Sequence, residues 1–198
     1  MGHRQMIGLF DSFPLYVKWS DQLILPSFMV DLSNILNFTV PVPEDWTAFG
    51  NAAEFEALPV ETKDQVHFLN KEGTGYLFDL IHSAGLITGG GWAPFEKGNF
   101  KSVEKTYGFS TTDEGRQALK KWLYQRGIPF AAEVFLLEES NHAIVTTWKM
   151  IIRYSPFIFP GGDVVVFDRT LNWCLFYFHE DEFFFGRDRQ YDPSADDK

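Results

Sequence analysis

The residues best equipped for chemistry gather near the C-terminal end. Cys174 is the chain's single cysteine. As a thiolate nucleophile it would need a base, for which His179 and His142 are available, and an acid to orient that base. Yet Cys174 stands between Trp173 and Leu175 in an apolar run, where a thiol behaves as a small hydrophobe. His179 lies five positions on, so along an unbroken strand it projects to the opposite face. Core packing is the better reading of this cysteine.

A second cluster, His179-Glu180-Asp181-Glu182, has the residue types of a metal or acid–base centre. Metal sites of known pattern want HExxH, His pairs at i and i+4, or Cys-x-x-Cys, and none occurs here. A calcium loop wants alternating Asp or Asn around a central Gly, also missing. Gly89-Gly90-Gly91 lacks the Gly-Lys-Ser/Thr of a phosphate cradle, and no Gly-x-Ser-x-Gly marks a serine hydrolase. His3, His67 and His82 stand alone. The sequence therefore predicts no catalytic residue, no cofactor and no metal.

These residues hang on a run of strands. Asp163–Gly186 predicts three: Val164–Phe167, Trp173–Phe178 and Phe183–Phe185, joined by turns at 168–172 and 179–182 and stopped by Gly186. Upstream, Glu133–Leu137 predicts a strand, Glu138–His142 a hairpin turn, and Ala143–Tyr154 a long return strand carrying Lys149 and Arg153 on one face. Ser155–Gly162 is a connection. The first half is helix-biased. Thr112–Arg126 has Thr111 and Glu114 at capping-box spacing and Gly127 as its stop. Lys120 and Lys121 there complement the negative helix end.

Tyr76–Ser83 reads as helical, with Leu77, Leu80 and Ile81 on one side. Glu61–Asn70 reads as a short helix broken by Gly73-Thr74-Gly75, and Ser27 as the cap of a helix through Asn37. Leu15–Trp19 suggests a short strand, and Asp45–Leu58 a segment wrapping the surface. Thr88–Asn99, with four glycines and a proline, reads as a connection and a possible subdomain boundary. Asp188–Lys198 reads as a polar tail. Short links between strands favour antiparallel neighbours. The expected architecture is one α+β domain over 1–198, its antiparallel sheet formed mainly by the C-terminal half. Helices from the N-terminal half should cover one face.

Composition narrows the function. With 21 Phe, each contributing roughly 1.5–3 kcal/mol when buried, the core needs no staple, and a lone cysteine excludes an internal disulfide. No charged-then-apolar leader opens the chain, and no uncharged apolar run reaches the ~18–20 residues of a membrane span. A soluble, cytoplasmic protein without membrane contact is expected. The net charge is −10, and it is unevenly spread. Residues 1–96 carry 12 acids against 4 bases, residues 97–126 carry 3 against 7, and residues 127–198 carry 12 against 6. Direct nucleic-acid binding is disfavoured, because phosphates demand clustered Lys and Arg.

What remains is surface recognition. Glu138, Glu139, Asp163, Asp168, His179, Glu180, Asp181 and Glu182 fall at strand ends beside Tyr177 and other aromatics. Carboxylates steer a basic partner, and aromatic anchors lengthen its residence. The stretch Trp148–Gly186 (WKMIIRY…DVVVFD…NWCLFYFHEDEFFFG) resembles the C-terminal part of bacterial immunity proteins of polymorphic and contact-dependent toxin systems. The likeness covers the C-terminal third and is one of style, aromatic strands with an acidic turn, so no residue role transfers by position. It implies a cytoplasmic, non-enzymatic protein that masks a toxin's active site. The expected function is thus an acidic binding protein that neutralises a basic partner such as a toxin domain. The alternatives are a small enzyme with a carboxylate site under the Gly-rich 88–99 loop, and a structural or regulatory module of unknown partner, including a homodimer formed through exposed strand edges.

Overall fold

The computed structural model describes residues 32–46, 49, 51–88, 91–92, 95, 98–107, 112–138, 142–159 and 162–190. Leu15–Trp19, the Ser27 cap, Glu139 and the tail beyond Gln190 lie outside them. In chain order the elements are a 3-10 helix (Leu32–Phe38), β1 (Thr39–Val40), α1 (Ala52–Glu56), α2 (Val60–Lys63) and β2 (His67–Leu69). Then come α3 (Lys71–Ser83), β3 (Ile87–Thr88), β4 (Gly91–Trp92), β5 (Phe100–Tyr107) and α4 (Asp113–Tyr124). The C-terminal set is β6 (Glu133–Glu138), β7 (His142–Thr147), α5 (Trp148–Ile158), β8 (Val164–Phe167), β9 (Trp173–Phe178) and β10 (Glu182–Arg189).

Eight strands form one antiparallel sheet in the order β1-β2-β7-β6-β8-β9-β10-β5, and β3 pairs with β4 apart from it. The chain is α+β, and most of its sheet comes from the C-terminal half. Successive residues of the central strands alternate between two cores, as a period of two requires. Val134, Leu136, Ile144, Val164, Val166, Leu175, Tyr177, Phe183 and Phe185 meet α1, α4 and α5 on one face. Phe135, Leu137, Val145, Val165, Phe167, Cys174 and Phe176 meet α3 and the 3-10 helix on the other. Helices thus cover both faces rather than one. That is why the strands VVVF and WCLFYF are apolar at nearly every position.

The long return strand stops early. β7 ends at Thr147 and the chain turns into α5. Trp148, Ile151, Ser155 and Ile158 fall at helical spacing and are buried. The first helical amides find carbonyls in the α4–β6 connection, Trp148 N–H donating to Ala132 O (2.9 Å) and Lys149 N–H to Phe130 O (3.0 Å). Pro156 inside α5 leaves the Ile152 carbonyl without its usual donor, and the Ser155 hydroxyl donates to it instead at 3.1 Å.

Three glycine readings also change. Gly73 and Gly75 lie inside α3, which starts at Lys71 with Asn70 as its cap. A Cβ on Gly73 would stand 2.7 Å from Phe38 Cβ, so the glycine permits close packing on the 3-10 helix rather than breaking α3. Likewise Gly186 continues β10 to Arg189 because the Phe100 and Phe95 rings occupy the space of its missing side chain. The segment expected as one helix over Glu61–Asn70 is a single turn, α2, followed by β2, whose Phe68 and Leu69 enter opposite cores. Trp46, Phe49 and Phe55 are buried, so 45–58 contributes core as well as surface. Thr112 caps α4, accepting from Gly115 N–H at 3.0 Å.

Candidate functional site

One end of the sheet collects most of the residues singled out above. Register places Glu138 of β6 beside His142 of β7 and Val164 of β8, Val164 beside Tyr177 of β9, and Phe178 beside Glu182 of β10. Asp163 precedes β8, and His179, Glu180 and Asp181 form the β9–β10 turn. Asp181 has φ 63, the left-handed conformation that closes a three-residue hairpin loop. Antiparallel pairing, not sequence proximity, unites Glu138 with a turn more than 40 residues downstream.

Asp163 organises this end. Its Oδ1 accepts from the His179 backbone N–H at 3.0 Å and from His179 Nδ1 at 2.8 Å. An ionised carboxylate only accepts, so Nδ1 carries a proton toward it. The imidazole is 58% exposed and its carboxylate partner 16% exposed, so the pair forms a braced and accessible edge. His142 is braced in the same manner. Its Nε2 lies 3.1 Å from Asp45 Oδ2, its Nδ1 lies 3.8 Å from Glu138 Oε2, and its ring meets the Trp46 ring edge-on. Glu182 pairs with Lys105 of β5 at 2.9 Å. Glu180 at the tip is exposed.

Two of the expected residues play other parts. Asp168 sits at the opposite end of the sheet, where Oδ2 accepts from Trp173 Nε1 at 2.8 Å and Oδ1 from Thr170 N–H at 2.9 Å. It fixes the β8–β9 turn. Tyr177 is 3% exposed and packs on Phe159 and Phe183. Burial, with Asp181 and Asp163 nearby, pushes its phenol up from the ordinary tyrosine value. Its ring is core, not an exposed anchor. Cys174 is buried on the sheet face opposite Tyr177, and burial pushes its thiol strongly upward. No imidazole approaches it among the described hydrogen-bonded pairs.

Asp45 and Lys105 join the site without having been singled out by sequence. Asp45 stood in a segment read only as surface wrapping. Lys105 lies on a strand whose polar pattern carries no β signal. Among the described residues, no group of three His, Cys, Asp or Glu side chains is placed to hold a metal ion. No described helix is long and apolar enough to cross a membrane. Of the 88–99 loop, Phe95 packs in tilted geometry against the Phe100 and Phe184 rings.

Fold and geometry together define an α+β protein whose antiparallel sheet ends in a carboxylate-rich, histidine-braced edge. No family model, curated protein or solved structure matches the chain.

Proposed function

We propose that this chain is a non-enzymatic, cytoplasmic binding protein that docks its acidic sheet end onto a basic protein partner. An immunity protein masking a toxin domain is the form of that function which the sequence resemblance favours. The observation that carries the reading is the convergence of Asp45, Glu138, Asp163, Glu180, Asp181 and Glu182 at one end of a sheet buried on both faces. A rigid sheet fixes the relative positions of these charges before any partner arrives, so little ordering entropy opposes docking. The exposed acidic tip raises encounter rates with a basic surface.

The test is co-expression with a basic toxin domain encoded beside this chain. Cells should survive with the intact protein, and the two chains should co-purify in a one-to-one complex. Survival without complex formation, or a complex indifferent to substitution at Glu180 and Asp163, would contradict the proposal.

A further inference from the structure

At the other end of the sheet the surface has the opposite character. Tyr124 at the end of α4 is 62% exposed and Phe130 is 50% exposed, their ring centroids 5.6 Å apart. With Gly127 and Ile128 they line an open cleft of about 310 Å3. Lys149, the second residue of α5, adjoins this cleft, its backbone N–H bonded to the Phe130 carbonyl. Arg153 and Phe157 follow at i+4 and i+8 on the same helix stripe, both exposed, Phe157 at 61%. On α4, which packs against α5, Lys120 and Lys121 precede Tyr124 by four and three positions and share its side of the helix. None of Lys120, Lys121, Lys149 and Arg153 pairs with a carboxylate among the described residues, whereas Arg116, Arg126, Arg169 and Arg187 all do.

We propose that this α4–α5 face is a second docking surface, and that it takes an acidic segment of a partner protein carrying an aromatic side chain. Four cations with no carboxylate partner among the described residues, one of them (Arg153) lying over the Tyr154 ring, in a protein of charge −10, supply the complementarity that selects an anionic ligand. The Tyr124–Phe130 cleft supplies the place for one apolar anchor, and such anchors set residence time. A concave cleft suits a side chain rather than a flat lipid surface. An anionic bilayer would also repel the acidic remainder of the molecule. A second copy offering its acidic end would make the protein self-associate in a ring, a filament or a reciprocal dimer, an outcome that the light-scattering arm below reads directly.

The probe is a fluorescein-labelled synthetic peptide of alternating Glu and Ser with one central Trp, titrated with the intact protein in an anisotropy assay. Binding should saturate and weaken with added salt. It should fall about tenfold in Lys149→Glu/Arg153→Glu. It should also fall when the central Trp is replaced by Ala or Phe130 by Ser. Lys149→Ala/Arg153→Ala serves as the milder variant should charge reversal disturb folding, and it should weaken binding in the same direction. Equal affinity in all variants, or no binding by the parent protein, would overturn the proposal. So would sedimentation with phosphatidylserine vesicles in place of peptide binding, or self-association by light scattering that Lys149→Glu abolishes.

Discussion

Asp163 ties the β8 entry to the β9–β10 turn through two hydrogen bonds, one to backbone and one to the His179 ring. Asp163→Asn keeps the shape but gives up the charge assistance. It should cost about 1 kcal/mol, read as a lower urea midpoint with unchanged slope. Tyr177 makes a pH prediction whose sign follows from burial. Its folded-state phenol holds the proton more tightly than the unfolded one. The associated stability is therefore fully present below the ordinary tyrosine value near ~10 and is lost as pH rises beyond it. Thermal melts should decline above that pH, and Tyr177→Phe should flatten the alkaline decline. Cys174, wholly buried with its thiol pushed up, should resist a thiol reagent in native buffer and react on denaturation.

At the scale of elements, two glycines with opposite surroundings give a paired prediction. Gly75 in α3 has open space around its missing Cβ, so Gly75→Ala should stabilise by about 0.5–1 kcal/mol. A Cβ on Gly186 in β10 would stand 2.6 Å from Phe95 Cε1 and closer still to the Phe100 ring. Gly186→Ala should therefore destabilise by about 1–3 kcal/mol, both effects measured by urea unfolding. The contrast also shows what sequence pattern can and cannot convey. Strands β6, β8 and β9 were legible because runs such as Val164–Phe167 fill both cores. Edge strand β5 was not legible, since Lys101–Lys105 are all exposed and nothing in FKSVEKTY marks one buried face. The switch from β7 to α5 was hidden because apolar positions 148–152 satisfy alternation and helical spacing alike. The carbonyls of Phe130 and Ala132 decide it. Glycines 73 and 186 looked like stops because the rings and chains they make room for lie far away in sequence. At the site, the tip and Asp163 were legible as acidic turn residues. The separation of Asp168 follows from strand register, and Asp45 enters through a 3.1 Å contact with His142 that no local pattern foretells.

Over the described part of the molecule, the two ends of the sheet differ in their balance of charge. Carboxylates gather where β6 ends and β9 turns into β10, and cations without a carboxylate partner among the described residues gather with aromatics on α4 and α5. On the proposed reading one surface would bind while the other stays available, and salt would weaken docking through the exposed Glu180, Lys149 and Arg153. Glu182 is held by Lys105, so charge reversal there would disturb the β5 edge along with any docking. Glu180 is exposed, and Asp181 adopts a backbone conformation that glycine accepts. Glu180→Lys/Asp181→Gly therefore changes the tip's charge while keeping its turn. The decisive measurement is stopped-flow association of this variant and the parent protein with a basic toxin domain encoded beside this chain, at low and at physiological salt. The parent should associate quickly with a steep salt dependence, and the variant about tenfold more slowly with a shallower one. Identical rates and salt slopes, with both proteins equally folded, would place the docking surface somewhere other than the acidic end of the sheet.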